Sequence, residues 1–277
     1  MNGKAVLRAG VVQTCTGVDA AQSAQSIAAA IGRLAAEGAD IVFTPEMSNL
    51  LDRNSRRLAD NVRDEAGDVT LAAAIAAAQA HRVHVALGSL AIRLPQGRIA
   101  NRSFLIAPDG QLLARYDKMH LFDVDLPNGD SYRESATFAP GDAAAVADLP
   151  AARLGFAICY DVRFPALFAA LAHAGAAVIA VPAAFTVPTG AAHWHVLMRA
   201  RAIETGAFII AAAQSGTHAD GRQTYGHSLV IDPWGRILAD LGEGPAEAVV
   251  SCDLSLVADT RARIPNLRHA RPIAPPA

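Results

Sequence analysis

The chain of 277 residues is poor in the features that mark specialised classes of protein. Its net charge is only −2, with 18% charged residues, so there is no electrostatic reason to expect nucleic acid or an anionic membrane as a partner. It has three cysteines, Cys15, Cys159 and Cys252. They are odd in number, widely separated and share no CxxC spacing, which excludes a disulfide scaffold and a zinc site built mainly from cysteine. There is no run that reads as a membrane span. The least polar stretch, from Phe164 to Val187, holds His173, Gly175 and Pro182 and reads as a buried helix followed by a buried strand. No basic leader with a cleavage site precedes the first strand-like segment, so a reduced, cytoplasmic setting is expected. Glycine-rich dinucleotide and P-loop motifs, HExxH and GxSxG are all missing, which leaves nucleotide, zincin and serine-hydrolase readings without support.

Apolar residues make up 52% of the chain and aromatics 5%. Alanine contributes roughly a fifth, so the apolar content consists largely of small side chains. Such a chain is too apolar and too weakly charged to be disordered. Short apolar runs alternate with amphipathic stretches. Strands are expected at Val6–Gln13, Ile41–Phe43, His84–Leu90, Ser103–Ala107, Leu112–Tyr116, Arg153–Ile158, Ala177–Val181, Phe208–Ala213, Ser228–Ile231, Arg236–Ala239 and Ala248–Cys252. Helices are expected at Ala20–Glu37, Val69–Ala80, Pro165–His173 and His193–Glu204, with Asp68 as an N-cap and Gly38 and Gly175 near C-termini. Pro108-Asp109-Gly110 and Asp232-Pro233-Trp234-Gly235 read as hairpin turns. The pattern implies α/β or α+β architecture with at least one large, helix-covered sheet. A single domain over residues 1–277 is expected, ending in a Pro-rich extended tail from about 265 (Pro265, Pro272, Pro275, Pro276).

The most informative segment is Gly155-Phe156-Ala157-Ile158-Cys159-Tyr160-Asp161-Val162-Arg163-Phe164-Pro165. A buried strand ends at Cys159, a polar turn follows, and Pro165 stands where a helix begins. Such an elbow presents a side chain at the sheet edge and leaves backbone N–H groups free for an oxyanion. Alone it fits a core thiol as well as a nucleophile. A nucleophilic thiol needs a base and a stabiliser of negative charge. Glu46 lies just past the strand Ile41–Phe43, and Lys118 just past Leu112–Tyr116. Ligand sites of open sheets collect at such strand ends. His120, Asp123 and Asp125 offer metal-ligating atoms, but polar residues in a loop after a strand are the better reading of them. His193 and His195, two apart on a helix, point in different directions. Cys15 and Cys252 lack neighbouring acid and base segments and read as core residues.

Thr44-Pro45-Glu46, Tyr116-Asp117-Lys118-Met119-His120 and Cys159-Tyr160-Asp161-Val162-Arg163-Phe164-Pro165 together resemble the three catalytic blocks of the nitrilase superfamily of carbon–nitrogen hydrolases. The likeness runs from about Val6 to Arg271. Arg133-Glu134-Ser135 followed by Pro140-Gly141 resembles the block that carries the family's second glutamate. Downstream, Tyr225-Gly226-His227-Ser228 and Asp232-Pro233-Trp234-Gly235 are most similar to the Nit branch. The run Arg199–Thr205 with Ala211-Ala212-Ala213-Gln214 is closer to deaminated-glutathione amidases than to ω-amidases.

The resemblance implies a four-layer αββα sandwich, usually homodimeric. It also implies an amidase that converts a small carboxylate-bearing amide to acid and ammonia through a cysteine thioester, with no metal or organic cofactor. Glu46 would be the base, Cys159 the nucleophile, and Lys118 with the Tyr160 backbone N–H the oxyanion donors. Glu134 would position Lys118 or substrate. Arg163, inside the matched block, would clamp a substrate carboxylate. An ω-amidase, an N-carbamoyl amino-acid hydrolase, and a non-catalytic binding protein on the same fold are the alternatives.

Overall fold

A computed structural model describes residues 6–126 and 129–273. Two sheets form its centre. The first has seven strands, six of them in the order Ala246–Asp253, Val6–Gln13, Ile41–Phe43, His84–Arg93, Ile99–Ile106, Leu112–Asp117. Val6–Gln13, Ile41–Phe43 and His84–Arg93 run parallel, the other pairings in this order are antiparallel, and the seventh strand, Phe138–Ala139, pairs parallel with Ile99–Ile106. The second has six strands and repeats the plan. Arg153–Phe156, Val178–Ala180 and Phe208–Ala211 run parallel, flanked by antiparallel Val146–Asp148 on one side and Leu229–Ile231 with Ile237–Asp240 on the other.

The period-2 alternation of each strand assigns its faces. In the first strand Leu7, Ala9 and Val11 belong to the core between the sheets, together with Phe156, Ala180 and Ile210 of the second sheet. Val12, Val42, Val85 and Leu87 of the first sheet instead meet Ile27, Ile31 and Leu34 of the helix Ala20–Ala36 and Leu71, Ala74 and Ala78 of Val69–His81. On the far side, helices Pro165–His173 and Val187–Thr205 cover the second sheet. Helix, sheet, sheet, helix is the expected αββα sandwich. Small residues allow the layers to approach: a Cβ on Gly10 would come within 3.2 Å of Leu34 and Ala39, and one on Gly155 within 3.1 Å of Ala176.

Several expected details hold. Asp68 caps its helix by accepting from the Thr70 and Leu71 N–H groups at 3.0 and 2.8 Å. Gly38, at φ +85°, follows the first helix. Both Pro108–Gly110 and Asp232–Gly235 join antiparallel neighbours. The fourth expected helix begins earlier, at Val187, because Pro188 is tolerated in the first turn. Helices Ser55–Asn61 and Ser255–Arg263 carry too little apolar periodicity to be visible in sequence. The tail is not wholly extended: Asn266–His269 forms a helical turn directly after Pro265. Pro275 and Pro276 lie outside the described residues. Among the described residues no helix is long and apolar enough to cross a membrane.

Candidate active site

Four strand ends converge where the sheets face each other. Glu46 stands three residues beyond Ile41–Phe43, in a turn pressed against the next strand. A Cβ on Gly88 would lie 1.9 Å from the Thr44 carbonyl oxygen, so only glycine admits the turn. The Gly88 N–H donates to Thr44 Oγ1 at 2.9 Å, and a bulge between Leu87 and Leu90 makes room. Lys118 follows Leu112–Asp117, its N–H donating to the Asn101 carbonyl at 2.9 Å. Glu134 opens a short 3-10 turn, Glu134–Ala136.

Cys159 begins the 3-10 turn Cys159–Arg163. Its φ of +50° lies in the left-handed region that costs an L-residue about 1–2 kcal/mol. The Cys159 N–H donates to the Pro182 carbonyl at 2.9 Å. Asp161, fully buried, ties this turn to the lysine segment. It accepts from Ile158 N–H at 2.8 Å, Tyr116 Oη at 2.7 Å and His120 N–H at 3.1 Å, with His120 Nδ1 at 2.7 Å. Met47, next to Glu46, also has positive φ, at +57°. Two of the four non-glycine residues with positive φ among those described therefore flank or form this site.

The side chains meet as a chain of charges. Lys118 Nζ donates to Glu46 Oε1 at 2.9 Å and to Glu134 Oε1 and Oε2 at 3.0 and 2.9 Å. Glu46 Oε2 accepts from the Ala184 N–H at 2.8 Å, and Glu134 Oε2 from the Phe122 N–H at 2.7 Å. The Cys159 thiol and the Glu46 carboxylate are close enough for each to shift the other's pKa. Glu46, Lys118 and Cys159 are all buried, at 4%, 2% and 8% exposure.

Burial opposes ionisation of Glu46, but the Lys118 charge, the Cys159 thiol and the hydrogen bonds from Lys118 and Asn101 outweigh it and hold its pKa below the ordinary value. Burial likewise works against the Lys118 charge, and Glu134 and Glu46 overcome it, leaving the ammonium firmly protonated. The Cys159 thiol is pushed well up, by burial and then by the Glu46 charge, against the pull of Lys118. The resting state is thus an ionised carboxylate, an ammonium and a neutral thiol. Such a set can pass the thiol proton to Glu46 as the sulfur attacks, with Lys118 facing the developing negative charge.

The group opens into a cleft of about 460 Å³ whose wall includes Phe122, Tyr132, Tyr160 and Phe185. Tyr160 is the second residue of its 3-10 turn, where helical geometry leaves the N–H without an intrahelical acceptor. The structure thus brings Glu46, Lys118, Glu134, Cys159 and Tyr160 together. It does not bring Arg163 into the cleft wall. That guanidinium lies 6.0 Å from the Tyr160 ring centroid and 5.7 Å from that of Phe185, on the side of His193, to whose Nδ1 it donates at 3.3 Å.

Two residues escaped the sequence reading. Asn101, 1% exposed, donates to Glu46 Oε1 at 2.8 Å and reaches Glu134 Oε1 at 3.4 Å. Its Oδ1 is buried without a partner. An asparagine inside the strand Ile99–Ile106, a residue type depleted in strands, was the available signal. Gln214, fully buried, donates to the Glu46 carbonyl and to Thr16 Oγ1 at 2.9 and 2.7 Å, and accepts from Thr16 N–H and Thr14 Oγ1, both at 3.0 Å. Cys252 is buried as expected. Cys15 is not a core residue: it is exposed, its Sγ 3.4 Å from the Thr217 carbonyl.

The metal-ligating candidates disperse. His120 serves Asp161, Asp123 accepts from the Ser135 N–H, and Asp125 pairs with Arg133. Among the described residues His195, His227 and Asp240 do gather their donor atoms within 4.8 Å. Both rings are already hydrogen-bonded to the one carboxylate, at 3.0 and 2.9 Å.

A buried thiol, carboxylate and ammonium at the strand ends of a four-layer sandwich define a class. The chain belongs to the carbon-nitrogen hydrolase family, which it matches over residues 8–262. Among its relatives is a deaminated glutathione amidase of Yersinia enterocolitica, 38% identical over 94% of this chain and 92% of that protein. A deaminated glutathione amidase of Synechocystis is 49% identical over 62% of this chain; the match spans 64% of that relative's length. The NitFhit protein of C. elegans has the same fold, with a TM-score of 0.89 and 34% identity over 96% of this chain and 65% of that one.

Proposed function

We propose that the chain is an amidase that hydrolyses a small carboxylate-bearing amide through a Cys159 thioester. The observation that carries this reading is the geometry: the buried thiol of Cys159 shares its cleft with a buried ammonium, Lys118, that bridges the carboxylates of Glu46 and Glu134 at 2.9–3.0 Å. Glu46 takes the thiol proton as Cys159 Sγ bonds to the amide carbon. Lys118 Nζ and the Tyr160 N–H stabilise the resulting oxyanion. The C–N bond breaks as Glu46 returns the proton to the leaving nitrogen. Water, deprotonated by Glu46, then cleaves the thioester to the acid and regenerates the thiol. Glu134 fixes Lys118 by gripping it with both oxygens. Arg163 contributes indirectly, by setting the Tyr160 and Phe185 rings that line the cleft.

Deaminated glutathione, the substrate class in the relatives' names, has a carboxylate at each end and a substituted amide between. Its leaving group would be an amine. Ammonia leaves only from a primary amide such as α-ketoglutaramate, the ω-amidase alternative, or from the carbamate formed by an N-carbamoyl substrate. We further propose that the chain works as one domain in the cytoplasm and as a homodimer, without nucleic-acid or membrane partners. Exposed Val196, Ile203, Trp234 and Leu238 on the outer helix and its neighbouring hairpin support the dimer.

Mass spectrometry of protein mixed with a panel of amides is the test. An acyl adduct on Cys159, with turnover falling about 10⁴-fold or more in Cys159→Ala, is expected. Retained turnover in that variant would overturn the mechanism. Binding with neither adduct nor turnover across the panel would favour a non-catalytic binding protein.

A further inference from the structure

The cleft lining carries two chemically distinct groups. Around Cys159 stand Glu46, Asn101, Lys118 and Glu134. The same lining also carries Arg53, Tyr132, Arg133 and Arg222. Of these arginines, Arg133 has both terminal nitrogens engaged: Nη2 donates to the two Asp125 oxygens at 2.8 and 3.0 Å, and Nη1 to the Val124 and Tyr132 carbonyls. Arg222 is not. Its side chain is only 21% exposed, its Nε is buried, and among the described residues that Nε has no hydrogen-bond partner.

The nearest carboxylate, Asp220 Oδ2, is 3.7 Å away, beyond hydrogen-bonding distance. Both Asp220 oxygens already accept backbone donors, the Arg53 N–H at 2.7 Å and the Arg222 N–H at 2.8 Å. Asp52, the other carboxylate close to Arg222, is committed to a forked pair with Arg57 at 2.5 and 2.9 Å. Asp130, also in the lining, has its own partner. A desolvated Nε–H without an acceptor is costly unless something supplies one. Tyr132 shares the lining: burial and then the Asp130 charge raise its phenol pKa, while the charges of Arg222 and Arg53 pull it back.

We propose that Arg222, assisted by Arg53 and Tyr132, is a carboxylate-binding subsite in the cleft lining, separate from the Glu46–Lys118–Cys159 group. Arg222 presents a planar fork to two carboxylate oxygens, Arg53 adds charge at the exposed rim, and the Tyr132 hydroxyl offers a further donor. This assignment rests on the amidase reading for its substrate, an amide whose carboxylate is carried at a distance from the scissile bond. It moves carboxylate recognition from Arg163, behind the wall, to Arg222, in it.

The test compares a carboxylate-bearing amide with its neutral methyl ester, using wild type, Arg222→Gln, Arg222→Lys and Arg163→Gln. Arg222→Gln is expected to lower the ratio of kcat/KM for carboxylate over ester by about 10- to 100-fold, through KM, with partial recovery in Arg222→Lys. Arg163→Gln is expected to affect the two substrates alike. A ratio within about twofold of wild type in Arg222→Gln, or a fall seen only in Arg163→Gln, would overturn the assignment.

Calorimetry of glutarate binding to Cys159→Ala protein, with and without Arg222→Gln, is independent of turnover. Binding weakened at least tenfold by Arg222→Gln supports the subsite even if no amide is hydrolysed, and equal binding or none in the Arg222-intact protein overturns it. Absence of turnover in wild type alongside Arg222-dependent glutarate binding would strike the amidase reading alone.

Discussion

Cys159 and Cys252 are both buried thiols at the end of a strand, and burial raises the pKa of both. Around Cys252 burial is the only cause, and the thiol is pushed up to about 12. Its strand neighbour is Leu7, and it belongs to the apolar core. Around Cys159 the same desolvation is joined by an ionised carboxylate that raises the pKa and an ammonium that lowers it. Burial alone makes a thiol inert. Burial beside a carboxylate and an ammonium leaves it protonated at rest while supplying an acceptor for its proton. The difference between the two cysteines therefore lies in their neighbours and not in their exposure.

Changing the neighbours of each thiol should change it accordingly. The largest effect after loss of Cys159 itself is expected for Lys118→Met, which removes the charge facing the oxyanion. Turnover should fall about 100- to 1,000-fold in steady-state assays. A fall below tenfold would show that the backbone donor suffices. Asn101→Leu should act next, lowering turnover by about tenfold through loss of a hydrogen bond to a charged group. Because that bond helps to hold the Glu46 pKa down, the acid limb of the pH–rate profile should move toward higher pH. An unmoved limb would mean that Asn101 is structural only.

Cys252→Ala should leave turnover near wild type and cost about 1 kcal/mol of stability. The folded Cys252 has its pKa raised from 9.0 to about 12, so the native state resists losing this proton more than the unfolded chain does. Its contribution to stability is complete below pH 9 and lost as pH rises through that window. The gap between wild type and Cys252→Ala, measured by denaturant unfolding, should therefore narrow from pH 9 to pH 11. A constant gap would contradict a buried, unpartnered thiol.

Asn101 and Arg222 show where sequence reading stopped. Both occur in segments with no matched catalytic block, and each acquires meaning only from residues far away in the chain. Asn101 meets Glu46 across 55 positions, and Arg222 shares the cleft lining with Tyr132. Arg163 shows the converse. Its position within a matched block suggested contact with substrate, but its guanidinium lies 6.0 Å from the Tyr160 ring centroid and beside His193, outside the cleft lining.

What the sequence determined by itself was local and periodic. Alternation placed Val6–Gln13 and Ile41–Phe43 at their observed bounds, Asp68 announced its helix, and three short blocks nominated Glu46, Lys118 and Cys159. These signals are written in neighbouring residues, where propensity, capping and strand-end geometry operate. Tertiary structure alone decided that the two sheets stack face to face with those strand ends together. It also decided that Lys118 is shared between two glutamates, that Cys15 is exposed while Cys252 is buried, and that Arg222, whose Nε has no partner among the described residues, lines the cleft. Burial, charge pairing and the pKa values they set are properties of side chains from distant segments brought within a few ångströms, and no local pattern encodes them.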